Sequence, residues 1–195
     1  MSRRPEAEVF SMDTVVPELA VQKYDASGLH EQREDVLAVY VEVYAGELDD
    51  PFYSLPRYWE RLSAYAARIG FSLVTGRLAG ELIGYALGYT LPEGSGWWRG
   101  FQGDVDLALL QETGDRTFAV NELMVRPGWR RRGYARVLHD SLLHDRPEAR
   151  ATLLVRPENA PARAAYRSWG WYEFGKLQPF DDAPVIEAMV RELRA

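Results

Sequence analysis

The sequence predicts one domain of mixed α/β (α+β) architecture, and three observations carry that prediction. The chain has 195 residues, a length that suits a single domain with one sizeable core. Hydrophobic residues make up 47% and charged residues 27%, a globular balance that excludes disorder along the whole chain. Stretches with strand-like alternation follow stretches with helical spacing from one end to the other, with no internal repeat and no low-complexity linker.

Residues 1–13 show no periodicity and read as a loose tail, which leaves 14–195 as the domain. Leu19 to Tyr24 alternates weakly and suits a first strand. From Leu29 to Tyr44 the apolar positions 29, 36, 37, 40, 41 and 44 fit one helix face, although Val39, Val41 and Val43 also fit a strand. Asp49-Asp50-Pro51 ends that pattern. A second helix opens at Pro56, carries Trp59, Leu62, Ala66 and Ile69 on one face, and stops at Gly70. Phe71 to Thr75 and Leu82 to Tyr89 read as a hairpin. Leu91 to Asp104, with Pro92, four glycines and Trp97-Trp98, reads as a long loop.

The second half alternates more sharply. Phe118 to Val125 reads as a strand and Tyr134 to His144 as a helix with Val137, Leu138, Leu142 and Leu143 on one side. Ala151 to Val155 is a short buried strand. Asn159 to Trp169 is a helix with Asn159 as its cap, Pro161 in its first turn and Gly170 at its end. Trp171 to Leu177 and Val185 to Val190 read as two more strands.

Charge and composition exclude several functions. The net charge of −6 is poorly suited to nucleic acid or to an anionic membrane unless a basic patch is concentrated locally. Without a cysteine there is no disulfide framework, thiolate metal site or sulfur nucleophile. His30, His139 and His144 have no spacing that suggests a metal site. Glu6 and Glu8 stand where a signal peptide would have an apolar stretch, and the apolar stretch from Val36 to Ala45 is broken by Glu42 and too short to span a bilayer. The reading is a soluble, cytoplasmic protein with no nucleic-acid or membrane partner.

One segment does concentrate positive charge. Arg126 to Arg136 holds five arginines and no acid, between a strand and a helix. A helix N-terminus leaves its first amides unpaired and partly positive, so such a turn can wrap a pyrophosphate, with the arginines adding charge. Gly133 and the small Ala135 would let phosphates approach the backbone. An exposed basic connection is the plainer alternative. Neither GxxxxGK[ST] nor GxGxxG is present, which excludes the P-loop and the dinucleotide fingerprint.

Arg130-Arg131-Arg132-Gly133-Tyr134-Ala135 resembles the Gln/Arg-x-x-Gly-x-Gly/Ala signature of the GNAT (Gcn5-related) N-acetyltransferases, and Glu122-Leu-Met-Val-Arg-Pro resembles that family's fourth strand. Asn159-Ala-Pro-Ala162-Arg-Ala-Ala-Tyr166-Arg-Ser-Trp-Gly170-Trp171 is similar to its Asn-x-x-Ala-x-x-x-Tyr-x-x-x-Gly-Phe segment, with Trp171 in place of Phe. The resemblance implies a mixed, mostly antiparallel sheet of six to seven strands, flanked by helices on both faces and splayed between its fourth and fifth strands. It implies acetyl-CoA as cosubstrate and no metal. Leu123, Met124 and Val125 would face pantetheine, Arg130, Arg131, Arg132, Gly133, Tyr134 and Ala135 would wrap the phosphates, and Asn159 and Ala162 would border the pantetheine arm.

The chemistry also needs an acid and a base. Amide formation from a thioester releases a thiolate, which a nearby phenol can stabilise or protonate. Ala162 and Tyr166, four apart, share a helix face, and Tyr166 is the candidate; a core tyrosine is the structural alternative. An attacking amine must lose a proton, for which Glu122 is the candidate, with Asp181 and Asp182 as alternatives. Without cysteine, direct attack in a ternary complex is the simplest scheme. Glu31, Glu34, Asp35, Glu42, Glu47, Asp49 and Asp50 face only Arg33, and the turn residues Glu47, Asp49 and Asp50 suggest a small cationic amine acceptor. A protein or peptide acceptor and a non-catalytic acyl-CoA-binding module are the competing readings. Trp97 and Trp98 would form an aromatic wall, a contact in a homodimer, or loop residues packed on the domain.

Overall fold

The structure is a computed structural model and describes residues 18–178, 180 and 183–194; the tail read at 1–13 lies outside the described residues. Its elements are β1 (Ala20–Tyr24), α1 (Ala26–Glu31), α2 (Arg33–Val43), α3 (Leu55–Ala66), β2 (Ser72–Leu78), β3 (Glu81–Thr90), β4 (Phe101–Gln102), β5 (Thr117–Val125), α4 (Tyr134–Leu143), β6 (Arg150–Val155), α5 (Ala160–Ser168), β7 (Tyr172–Leu177) and β8 (Ile186–Glu192). One sheet holds every strand, in the order β1-β2-β3-β5-β6-β8-β7-β4. Among the described residues only β5 and β6 run parallel; every other neighbouring pair is antiparallel.

The first helical stretch divides in two. Asp25 caps α1 by accepting from the amides of Ser27 at 3.0 Å and Gly28 at 3.1 Å. Gln32 then leaves helical geometry with ψ of 6°, and α2 restarts after it. The strand alternative for Val39 to Val43 is overturned, because Val36, Val39 and Tyr40 form the buried face of a helix. On α3 the buried face is Tyr58, Leu62 and Ala66 rather than the expected row through Trp59 and Ile69. Ile69 follows the helix and is 83% exposed.

The expected long loop contributes a strand. Phe101 pairs with Leu177 and Gln102 with Lys176, so the two-residue β4 lengthens the sheet to eight strands where six to seven were implied. The same loop covers one face of β7 and β8, where Trp98 buries against Leu177, Ala188 and Val190. The Trp98 indole N–H donates to Glu112 at 2.7 Å, and Glu112 is paired with Arg150 at 3.1 Å. Trp98 is therefore a structural residue, as the loop-packing alternative required.

Two larger cores lie on opposite faces of the central strands. One fills the space under α1, α2 and α3 with Leu29, Val36, Tyr40, Tyr58 and Leu62 against Leu73, Tyr85 and Met124. The other lies under α4, where Leu138, Leu142 and Leu143 meet Val74, Ala86, Phe118, Val120 and Leu153. No helix among the described residues is long and apolar enough to cross a membrane.

The central feature is a parting of the sheet. β5 and β6 pair only at Thr117–Arg150, Phe118–Ala151 and Ala119–Thr152. β5 continues to Val125 paired with β3 alone, and β6 continues to Val155 paired with β8 alone. Among the described residues the edge of β5 that faces β6 has no strand partner beyond Ala119, and apart from the Val125 carbonyl, which accepts from Arg130, its backbone groups are free to bind an extended ligand.

Candidate active site

A β-bulge sets the chemistry on β5. The register against β3 steps from Leu87–Glu122 to Gly88–Val120, so Asn121 is an extra residue on β5. Side chains alternate along a strand, and an extra residue reverses the alternation. Phe118 and Val120 accordingly face the α4 core, and beyond the bulge that core is met by Leu123 and Val125. Glu122 is turned to the α3 side, where its carboxylate lies 3.3 Å from the Arg61 guanidinium. Gly88 permits the bulge, because a Cβ there would collide with the Ala119 carbonyl oxygen and lie 2.8 Å from the Phe118 ring.

The Glu122 side chain is only 12% exposed. Burial pushes its pKa up to about 7, against the opposing pull of Arg61. Tyrosines surround it. Tyr40 and Tyr58 stack with centroids 3.7 Å apart, Tyr58 and Tyr85 share a buried hydrogen bond, and Arg61 lies 5.0 Å over the Tyr58 ring. The Tyr40 hydroxyl is buried without a partner among the described residues. Asn121, on the same face, tempers the rise that burial imposes on Tyr65 and Tyr89.

Across the parting stands α5. Asn159 caps it by accepting from the Ala162 amide at 3.2 Å. Ala162 and Tyr166 are partly buried and meet the α4 core together with Leu123, Trp129 and Ala135. Tyr166 makes edge contacts with Trp169 at 5.6 Å and Trp171 at 6.0 Å. Its pKa is raised to about 12, first by burial and then by the Glu122 charge, so the two candidate groups sense one another across the gap. Behind Trp171 the fully buried His139 accepts the indole N–H at 2.9 Å, and its other nitrogen meets Asp140 at 2.7 Å. The Trp171 bond identifies Nε2 as the acceptor and Nδ1–H as the donor to Asp140. Burial lowers the His139 pKa, which keeps the ring neutral in that arrangement.

At the open end of β5 the chain passes through a turn at Pro127–Trp129 into α4, whose N-cap is Gly133 with φ of 85°. That left-handed value is the conformation glycine adopts without a Cβ penalty. The amides of Arg131, Arg132, Gly133, Tyr134 and Ala135 make no hydrogen bond among the described residues. The arginines divide in role. Arg126 is tied to the Leu82 carbonyl at 2.6 Å and paired with Glu42, and the Arg130 Nε donates to the Val125 carbonyl at 3.1 Å. Arg132 lies 4.9 Å over the Trp129 ring, and Arg131 is exposed.

The structure thus brings Leu123, Val125, Ala135, Ala162 and Tyr166 together at one core cluster beside the parting, and it holds Glu122 on the α3 face near enough for its charge to act on Tyr166. The Met124 side chain turns away into the α3-side core, where its sulfur accepts from the Tyr85 hydroxyl at 3.2 Å. Asp181 and Asp182 lie outside the described residues. In the acidic turn, Asp50 is used to cap Pro51–Tyr53, and Asp35 and Glu42 pair with Arg77 and Arg126. Glu47 and Asp49 stay exposed, and the Glu47 charge reaches Tyr44. Sequence reasoning missed Arg61, Asn121 and the tyrosine wall. The signal for Arg61 was its place between Tyr58 and Tyr65 at spacings of three and four, which put all three on one side of α3.

A parted strand pair, with unpaired helix-N-terminal amides at its mouth and a buried carboxyl on its inner strand, is the architecture of an acyl-CoA-dependent acetyltransferase. The chain belongs to the GNAT family: the family model described as acetyltransferase (GNAT) family matches residues 34–171. No curated protein matches the sequence. Among solved structures, PH1933 from Pyrococcus horikoshii is 16% identical with a TM-score of 0.63, over 90% of this chain and 98% of that one. The ribosomal-protein-S18-alanine N-acetyltransferase from Escherichia coli is 17% identical with a TM-score of 0.57, over 91% and 96%. The PaiA N-acetyltransferase from Thermoplasma acidophilum, solved in complex with coenzyme A, is 11% identical with a TM-score of 0.54, over 90% and 99%. At these identities the likeness is one of fold.

Proposed function

We propose that this protein is an N-acetyltransferase that moves an acetyl group from acetyl-CoA to a small amine by direct attack in a ternary complex. The observation that carries the reading is the Glu122 carboxyl, buried on the bulged strand beside an open strand edge with its pKa raised to about 7. Acetyl-CoA supplies a thioester, whose C–S bond breaks with the electron pair leaving on sulfur as the amine nitrogen bonds to the carbonyl carbon.

Glu122 takes the proton that the amine must lose. A primary amine has a pKa of about 10.4, so deprotonation by an ordinary carboxylate of about 4.5 is uphill by roughly 8 kcal/mol. A carboxylate at about 7 reduces that cost to roughly 4.6 kcal/mol, which is why its burial assists the step. Tyr166 keeps its proton at every working pH because its pKa is about 12. Full transfer to a thiolate of about 8.5 is uphill by on the order of 5 kcal/mol, so Tyr166 acts as a hydrogen-bond donor to developing charge on sulfur. The free edge of β5 around Leu123, up to the Val125 carbonyl that Arg130 occupies, receives the pantetheine amides, with small Ala162 giving clearance on the facing helix.

The amides from Arg131 to Ala135, with Arg131 and Arg132, hold the pyrophosphate, and Arg130 braces the turn through the Val125 carbonyl. The acceptor arrives as an ammonium on the α3 side, drawn by Glu122 and by Glu47 beside Tyr44. The test is calorimetric titration of acetyl-CoA into the wild type, Gly133→Asn and Gly133→Asp. A Cβ at Gly133 meets open space, and Asn tolerates the left-handed backbone, so the two variants separate charge from strain. Asp is expected to weaken binding by more than about tenfold beyond Asn. Equal binding by Asp and Asn removes the pyrophosphate from this turn. A folded wild type that binds no acetyl-CoA overturns the function. A screen of amines for thiol release then decides between an enzyme and a binding module.

A further inference from the structure

The chain between β3 and β5 borders a cavity of about 380 Å³, lined by Arg68, Tyr89, Pro92, Ser95 and Trp97 among others. Its walls are aromatic and its charge is positive. The Arg68 guanidinium makes no hydrogen bond or ion pair among the described residues. Its field does reach the cavity wall, because it opposes the rise that burial imposes on the Tyr89 pKa. The Trp97 indole N–H is buried and has no partner among the described residues, an unusual state for a buried donor.

This cavity lies further along α3 from the candidate reaction centre. Arg61 on α3 holds Glu122, Tyr65 lies one turn further on, and Arg68 follows just past the end of the helix. The five residues from Arg61 to the helix end at Ala66 rise about 7.5 Å along the axis, and Arg68 lies two residues beyond. On the strand side, Asn121 sits next to Glu122 and close to both Tyr65 and Tyr89, whose rings are 5.5 Å apart. The Asn121 Oδ1 is also buried without a partner among the described residues. A row of polar and aromatic side chains therefore leads from Glu122 past Asn121 and Tyr65 to Tyr89 at the cavity wall, where the unmatched Arg68 cation stands.

We infer that this cavity receives the far end of the acceptor, and that this end carries a carboxylate or phosphate roughly 10 Å from the reacting amine. The inference rests on the acetyltransferase reading above and refines it, since only the reacting end of the acceptor is cationic. The two ends of the row have opposite charge: a carboxylate that suits an ammonium near β5, and a guanidinium that suits an anion and repels a second ammonium. The tyrosine and tryptophan walls between them suit an aliphatic or flat linker.

The test measures thiol release with three acceptors of one chain length: a six-carbon ω-amino acid, the matching ω-amino alkyl phosphate and the matching diamine. Wild type and Arg68→Glu are compared; Arg68 is exposed, so the variant keeps the fold. The wild type is expected to favour an anionic acceptor over the diamine, and Arg68→Glu to shift that kcat/KM ratio towards the diamine by roughly tenfold or more. The better of the two anionic acceptors identifies the end group. A ratio unchanged by Arg68→Glu, or a wild type that favours the diamine, overturns the inference. If none of the three releases thiol, the amine screen above decides the transfer reading by itself. The cavity is then decided by tryptophan fluorescence, with Trp97→Phe identifying the reporter. Quenching by an anionic acceptor in the wild type and not in Arg68→Glu upholds the site, and equal response of the two proteins overturns it.

Discussion

Replacing Glu122 by Gln should disable the protein and stabilise it at once, and the size of each effect follows from one buried carboxyl. In the unfolded chain a glutamate titrates near 4.5, whereas burial raises Glu122 to about 7 in the folded state. A group whose folded pKa lies above its unfolded value contributes stability that is fully present below about pH 4.5 and is lost as pH rises through about 7. Gln carries no such dependence. The variant should therefore gain on the wild type between pH 5 and pH 8 by about 2.5 kcal/mol, which for a chain of this size is roughly 5–10 °C in Tm. Activity moves the other way. At pH 8 only about one amine in 250 is neutral when its pKa is about 10.4, so losing the base should lower kcat/KM by about a hundredfold or more. The inflection near pH 7 in the kcat/KM profile should vanish, leaving the limb set by the amine alone. Thermal melts at pH 5 and pH 8, with kcat/KM measured across the same range, supply both readouts. A Gln variant that keeps wild-type turnover refutes the base, and one whose relative stability is independent of pH refutes the buried charge.

Tyr166→Phe keeps the ring packed on Trp169 and Trp171 and removes only the hydroxyl, so kcat should fall by about 10–100-fold while the KM for acetyl-CoA stays within about twofold. A kcat within about twofold of wild type would leave Tyr166 a packing residue. Gly88→Ala places a Cβ against the Ala119 carbonyl and the Phe118 ring, which should cost about 1–3 kcal/mol in denaturant unfolding. The same variant should lose turnover at temperatures where it remains folded, because the bulge that aims Glu122 is displaced; retained turnover would separate the bulge from the chemistry.

The parts of the site that could be read from the sequence are those carried by contiguous residues. The turn from Arg126 to Ala135 and the segment from Asn159 to Trp171 each lie within one loop and one helix, where spacing along the chain is spacing in the structure. The Arg61–Glu122 pair has no such signature, since the partners are 61 residues apart and meet only through sheet register. The bulge is equally silent, because Asn121-Glu122 continues an alternating strand as readily as it interrupts one. Gln32 breaks the first helix without the glycine or proline that usually marks a stop. On α3 the aromatic Trp59 and aliphatic Ile69 suggested the buried face, yet Tyr58 is fully buried alongside Leu62, with its hydroxyl satisfied by Tyr85 from strand β3. For Trp98 the sequence left an aromatic wall, a self-contact and loop packing open, and the Glu112–Arg150 pair decides for packing. In each case the deciding group is distant in sequence, and propensity or periodicity holds no information about it.

The parting of the sheet raises a physical question, since two neighbouring strands forgo hydrogen bonds that they have the length to make. A frayed edge would close or fluctuate, and a cleft used for catalysis must do neither. The remaining contacts make the gap rigid. β5 is held on its other side by β3 from Thr90 back to Gly84, and β6 is held by β8 along its whole length from Arg150 to Val155. Below the gap one continuous core joins the two halves, with Phe118 and Val120 of β5, Leu153 and Val155 of β6, Met189 of β8 and Leu138 and Leu142 of α4 in a single cluster. Closing the gap would require β6 to carry β8 and that core with it. The Glu122 carboxyl is the second constraint. It is raised by burial on the α3 side while Tyr166 stands on the far wall, so closing the cleft would press the two groups together and bury the charge further. The open edge of β5 is thus maintained by the same packing and charge that the proposed transfer would use, and a ligand that pairs with that edge meets a surface already in place.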